Sequence, residues 1–438
     1  MKRFDAAVIL LTLNWTTMFI PYLFRILLSL ACILVFQKLT KNLALAMAAG
    51  ILLLALWTGQ TLSSTLDIAT ERFLSLDMLF LVVIIASIIV LSSVMSQSGT
   101  MKDLVACLRT RLSRKMLLAA LPAVVGLLPM PAGALFSAPL INDADDSGQL
   151  TSQKKTQVNY WFRHIWEYWW PLYPGVILAT DITGLSILTQ GTIMFPLYII
   201  TIAAGFFFLL SGIPNSKPIA SDGKSKSFFI LVLPTATIII VYLLLFLVAP
   251  SLTHFNKYLP LVIGVAFGLL ILQFQHPIPA SAWRKEFFSS RVFSLLCVVI
   301  MARLYGSFIE AKLPDGVFLM DKIRGELFDF GIPATALIIV VPFIAGITTG
   351  ITIGYIGASL PVVISLAGST RPELYSAIIL GYTSGFLGMM LSPIHVCIIV
   401  TNEYFKVKLT ESLGGLLRPA ALVFAFAAAY STAWALLG

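Results

Sequence analysis

A chain of 438 residues that is 58% hydrophobic and 11% charged lies far from a soluble domain, which carries roughly 25% charged residues. That excludes a soluble enzyme on a single anchor. It points to an all-α polytopic membrane protein, because a helix satisfies every backbone amide within one apolar segment. The net charge of +9 is spread over short loops, where it orients spans in the membrane and gives no reason to expect nucleic acid.

Met1-Lys2-Arg3 followed by an apolar run reads as a retained first span rather than a cleaved signal. The N-terminal region 1–41 is one long tilted helix over Ala6 to Phe36 or two pieces broken near Pro21. A first unit, 42–212, has spans near 42–58 and 76–95, an amphipathic loop and a hairpin at 116–141. Spans near 168–190 and 192–212 complete it. A linking region, 213–257, carries a span at 227–249. A second unit, 258–438, has spans near 258–274 and 290–310, a polar loop and a hairpin at 334–366. Its last spans lie near 374–397 and 417–437. That makes about ten or eleven transmembrane helices. The order span, span, loop, hairpin, interrupted helix, span occurs twice, which is an internal repeat.

The two hairpins align. Pro122 and Gly126 match Pro342 and Gly346, and each pair leads into small residues and closes at a proline, Pro139 or Pro361. Gly and Pro break helices. Broken helices persist at membrane depth only where they line a cavity. Such a pair in two halves of a chain points to a transport site.

Loop charge sets orientation. Ser96–Lys115 has five basic residues against Asp103, whereas Lys312–Gly331 is acid-rich. The first is then cytoplasmic and the second external, and the single linking span inverts the second repeat. The C-terminus falls outside, and the hairpin tips meet near the midplane.

The tips hold the first candidate residues. Pro129-Met130-Pro131-Ala132-Gly133-Ala134 has two prolines and a glycine, and Thr348-Thr349-Gly350-Ile351-Thr352-Ile353-Gly354 has three hydroxyls and two glycines. Helix N-terminal amides bind anions, and Thr hydroxyls and carbonyls suit Na⁺. Small-residue helix packing is the alternative. The following spans carry Tyr173-Pro174-Gly175 and Gly381-Tyr382-Thr383-Ser384-Gly385-Phe386-Leu387-Gly388, then Ser392 and His395. The glycines of the latter are a site or a packing stripe.

Ionisable residues in spans are functional candidates. His395 lies in an uncharged 27-residue stretch; it carries a proton, binds a carboxylate or is a satisfied core residue. His164 and Glu167, three apart on one helix face beside Arg163, form a gate or proton relay at the cytoplasmic end or belong to an aromatic belt. Asp181 is a third candidate for the relay, near the outer end of its span. Arg303 pairs with an anion or, as the simpler reading, snorkels or pairs with Glu310. Asn142-Asp143-Ala144-Asp145-Asp146 lacks the downstream Glu of a Ca²⁺ loop and reads as solvated. The four cysteines have no metal spacing and read as reduced packing residues. No H-E-x-x-H, G-x-S-x-G, Walker A or C-x-x-C occurs, so neither enzyme nor ATPase is expected.

This arrangement resembles the ion transporter superfamily, which includes gluconate, citrate, dicarboxylate/sodium, arsenite and sodium/proton carriers. More narrowly, PMPAGALFSAPLI, FRHIWEYWWPLYPG and GFLGMMLSPIHVC resemble an uncharacterised prokaryotic membrane family, domain of unknown function 401. The superfamily resemblance implies elevator-like secondary transport, with substrate and Na⁺ or H⁺ at the tips Pro131 to Ser137 and Thr348 to Gly354. It implies a prokaryotic cytoplasmic membrane and a homodimer. The Ser-Asn-Thr of the sodium–dicarboxylate branch is absent from both tips. The expectation is an ion-coupled carrier of a small anionic organic solute, embedded in the bilayer, with no cofactor beyond the coupling ion. A cation/proton antiporter is the alternative, and a lipid flippase or lipid-modifying enzyme a further one.

Overall fold

The computed structural model describes residues 20–129, 133–145, 148, 150–214 and 228–437. The described residues form helices without any strand. The first five are α1 (Tyr22–Thr40), α2 (Leu43–Trp57), α3 (Leu62–Phe73), α4 (Leu76–Gln97) and α5 (Thr100–Arg109). Next come α6 (Arg114–Gly126), α7 (Gly133–Ala144), α8 (Ser152–Arg163), a 3₁₀ turn at Ile165–Tyr168, α9 (Pro174–Thr183) and α10 (Ile187–Ala204). After the linker lie α11 (Phe228–Val248), α12 (Pro250–Phe255), α13 (Leu259–Gln275), α14 (Ala280–Phe287) and α15 (Ser290–Glu310). The last seven are α16 (Leu319–Asp329), α17 (Ala334–Thr349), α18 (Thr352–Leu366), α19 (Arg371–Met390), α20 (Val396–Phe405), α21 (Leu409–Gly414) and α22 (Leu417–Ala435).

Local chemistry sets these boundaries. Pro21 stands at the N-cap of α1, so the first described helix starts just after the proline; residues 1–19 lie outside the described residues. Side chains of Asn42, Ser75, Thr151, Ser186 and Ser289 accept the first amides of α2, α4, α8, α10 and α15, satisfying donors that have no intrahelical partner. Thr370 and Glu373 close a capping box on α19. Gly350 ends α17 at φ +63°, a left-handed C-cap that a glycine adopts without Cβ strain.

The apolar residues face two ways. One continuous buried cluster runs from Leu23 on α1 to Ala427 on α22. Outside it, large side chains such as Phe229, Leu247, Phe274 and Phe293 are more than two-thirds exposed. Water does not tolerate so much apolar surface; a bilayer does. The protein is a polytopic helical membrane protein. Six stretches of described helix are long and apolar enough to cross a bilayer, and a seventh arises if α16 and α17, bent by 114°, count as one. Shorter apolar helices, among them α2, α13, α18 and α20, account for the larger number expected from the sequence. They are cut short at the Gly and Pro breaks.

At both expected hairpins the chain runs helix, break, helix. α6 ends at Gly126 and α7 begins at Gly133, and α17 and α18 flank Gly350-Ile351. The prolines Pro122, Pro139, Pro342 and Pro361 lie inside these helices. The aligned glycines have matching work. A Cβ on Gly126 would collide with the Arg163 carbonyl, and one on Gly346 with the Gly385 carbonyl. Each lets one arm of its pair lie against the backbone of a neighbouring helix.

Candidate functional site

Four interruptions of the helices converge on one cavity of about 200 Å³. Pro129 comes from the break after α6. Tyr173, Pro174 and Gly175 come from the start of α9, Ile351, Thr352 and Ile353 from the start of α18, and His395 and Cys397 from the start of α20. Arg163, His164 and Glu167 reach in from the end of α8 and the 3₁₀ turn.

The convergence is tight. A Cβ on Gly175 would lie 2.6 Å from Thr352 Cγ2, so the first turns of α9 and α18 touch. Tyr173 donates its hydroxyl to the Gly126 carbonyl, tying α9 to the end of α6. Three helices, α9, α18 and α20, thus present their N-terminal ends to one space, where unpaired amides carry partial positive charge. Arg163, buried and stacked against Gly133 at the start of α7, adds a full charge.

The ionisable side chains form a chain across the cavity. Thr352 donates its hydroxyl to Glu167 Oε2. Glu167 Oε1 is 3.8 Å from His164 Nε2, and that nitrogen is 3.1 Å from His395 Nε2. His164 Nδ1 lies 2.7 Å from the Tyr160 carbonyl, so Nδ1 carries the proton of the neutral ring and Nε2 presents its lone pair to the cavity. Tyr382 donates to the Glu167 carbonyl and fixes the 3₁₀ turn. His164 and Glu167 therefore line the space between the breaks. They and His395 are all less than a tenth exposed.

Other candidates fall elsewhere. Pro131 lies outside the described residues. Gly133, Ala134 and Ser137 are buried on α7, with Ser137 bonded back to the Gly133 carbonyl. Thr348 and Thr349 return their hydroxyls to the carbonyls of Ile344 and Ala345. Gly354 packs in the first turn of α18 against Thr349. Ser392 donates 2.6 Å to the Ile347 carbonyl, fastening the break before α20 to α17.

The second interruption falls on the Ser392 to His395 half of the stretch singled out in the sequence, not on its glycines. Gly381 to Gly388 stay helical within α19, and the chain breaks at 391–395. Gly385 meets the Tyr355 ring and Gly388 the Phe343 carbonyl, so the glycines serve close packing. Thr383 and Ser384 are wholly buried beside them, and Ser384 bonds to the Leu380 carbonyl.

Asp181 is also remote from the cavity. It pairs with Arg303 of α15 and with Lys257 at 3.6 Å, and accepts from the Tyr258 hydroxyl at 2.9 Å. Arg303 thus pairs with Asp181 and not with Glu310, which meets Arg72 at 3.7 Å. Asp145 is likewise buried rather than solvated, held by Arg114 and Lys155.

Cys397 is the cavity residue that sequence reasoning passed over. Its signal was its place two residues after His395; its partner His164 lies too far along the chain to suggest the contact.

Among curated proteins none matches the chain. The family model described as "Protein of unknown function (DUF401)" matches residues 24–432, and the chain belongs to that family.

Proposed function

We propose that the protein is an ion-coupled secondary transporter of a small anionic organic solute, and not an enzyme. The observation that carries this reading is the meeting of three helix N-termini, Arg163 and a protonatable Glu167 in one small cavity built from interrupted helices. Anions bind where amides and a guanidinium converge. Interrupted helices from two halves of a chain are the usual construction of a carrier site. The reading takes the two hairpin-containing units as inverted repeats moving in an elevator-like cycle, in a prokaryotic cytoplasmic membrane, with the C-terminus outside and the chain a homodimer.

Glu167 supplies the coupling. Its carboxylate occupies the N-terminal end of α18, where a substrate carboxylate would bind. Protonating Glu167 removes the competing charge and admits the anion, so proton and anion move together. Na⁺ is the other coupling ion compatible with the hydroxyl-rich second tip.

The test is thermal stabilisation of the detergent-purified, chelator-treated protein against a panel of organic anions, with and without Na⁺, at two pH values. A ligand that binds only the folded state at 100 times its Kd adds about 2.7 kcal/mol of stability. An anion shift that grows at low pH and loses its pH dependence in Glu167→Gln is the expected result. No shift with any anion overturns the reading. Shifts with Na⁺, Li⁺ or pH alone favour cation/proton antiport through the His164, Glu167 and His395 cluster.

A further inference from the structure

We propose that His164, His395 and Cys397 form a binding site for a borderline transition-metal cation of the Zn²⁺ class. The inference stands apart from anion transport, since it needs only the side chains that share this part of the cavity. Their ligand atoms, two imidazole nitrogens and a thiol sulfur, all lie within 4.8 Å of one another.

The two imidazoles are spaced for a metal. Two nitrogens bound to one tetrahedral ion at about 2.1 Å stand roughly 3.4 Å apart. The Nε2 atoms of His164 and His395 are 3.1 Å apart, so an ion enters between them with a few tenths of an ångström of movement. His164 is already oriented. Its Nδ1–H donates to the Tyr160 carbonyl at 2.7 Å, the outer contact that fixes a metal-binding imidazole in the correct tautomer. The Tyr160 ring, edge-on to His395 with centroids 5.2 Å apart, limits the rotation of the second imidazole.

Cys397 supplies the soft ligand that favours Zn²⁺ or Co²⁺ over Na⁺, Mg²⁺ or Ca²⁺. On binding, the S–H bond breaks, the proton leaves to solvent and the thiolate sulfur coordinates the ion. Three protein ligands leave a fourth position. Glu167 Oε1, 3.8 Å from His164 Nε2, is near enough to take it or to yield it to a solute oxygen.

Co²⁺ titration of the purified full-length protein in detergent tests the site. The expected result is one Co²⁺ per chain, with a thiolate-to-cobalt charge-transfer band and tetrahedral d–d absorption, displaced by Zn²⁺. Cys397→Ser loses the charge-transfer band while eluting as a folded protein. His164→Ala or His395→Ala weakens binding at least about 100-fold, since loss of an outer-shell partner alone costs 10–100-fold. Replacing Cys32, Cys107 and Cys297 together by Ser leaves the band intact. No thiolate band in the wild-type protein at saturating Co²⁺ overturns the site without recourse to any variant. A band that survives Cys397→Ser, or vanishes in the triple variant, overturns it as well. Because the anion experiment uses chelator-treated protein, failure here leaves that result readable, and failure there leaves this one.

Discussion

His164 and His395 are 231 residues apart in the chain and 3.1 Å apart between their Nε2 atoms. One follows α8 and the other precedes α20, so each half of the chain contributes one imidazole to the contact. Both nitrogens cannot carry a proton at that separation without repulsion. The pair therefore holds at most one proton or one cation between the rings.

Thr352 governs the neighbouring carboxylate. Its hydroxyl is the side-chain donor to Glu167, and a hydrogen bond to a charged group is worth about 1.5–3 kcal/mol. Thr352→Val lowers the melting temperature and strengthens the anion-induced shift near neutral pH, because a carboxylate without this donor holds its competing charge less firmly. Thr352→Ser restores both. A Thr352→Val protein that melts and binds like wild type would show that Glu167 does not depend on this donor.

The aligned glycines predict a contrast. Gly126→Ala and Gly346→Ala each drive a Cβ into a backbone carbonyl, and overpacking costs about 1–3 kcal/mol. Gly325, inside α16 with nothing within 4 Å of its would-be Cβ, gains up to about 1 kcal/mol as Ala. Melting curves of the three variants should split accordingly, two falling and one rising. Gly133→Leu is not innocent either, because its side chain would displace the Arg163 guanidinium.

Asp181→Asn leaves Arg303 buried against an uncharged partner, and removing one member of a buried pair costs about 3–5 kcal/mol. Asp181→Asn with Arg303→Met recovers most of that loss. A double-mutant cycle of thermal or denaturant unfolding measures the coupling. Loss of transport in a fully stable Asp181→Asn protein would instead return Asp181 to the proton relay.

Asp145 predicts a pH dependence at the end of α7. Burial pushes its carboxyl up, but hydrogen bonds from Lys155, the Leu150 amide and Arg114 outweigh that and hold it below the usual carboxylate range. A carboxyl depressed in the folded state adds stability that is present above the unfolded value, about 3.9, and lost as pH falls through the folded one. The wild-type melting temperature therefore drops more steeply than that of Asp145→Asn as pH is lowered below about 4. Parallel curves would show that the pairing contributes nothing.

The sequence made the helix breaks legible because Gly and Pro act locally. Gly350 ends α17 and Pro174 opens α9 where they stand. The glycines Gly381 to Gly388 do not interrupt α19 as Ser392 to His395 interrupt the chain, because a glycine's helix penalty is only about 1 kcal/mol and close packing against Phe343 and Tyr355 outweighs it. Long-range pairings were not legible. Nothing near Arg303 names Asp181, and nothing near Cys397 names His164. Charge partners in a bundle are set by which helices lie side by side, and residue type alone leaves that open.

The short helix α9 acts as a lever. It is ten residues long. At one end Gly175 rests on Thr352 in the cavity wall, and at the other Asp181 grips Arg303 on α15. Six residues of helix make a stiff rod of about 9 Å between the two contacts. Anything that pushes the first turn of α9 away from α18 must pull on an ion pair in surroundings of low dielectric. The reverse also holds, so a change in the charge of either partner is felt at the cavity wall. The cavity wall and the Asp181–Arg303 pair thus share one short rigid element.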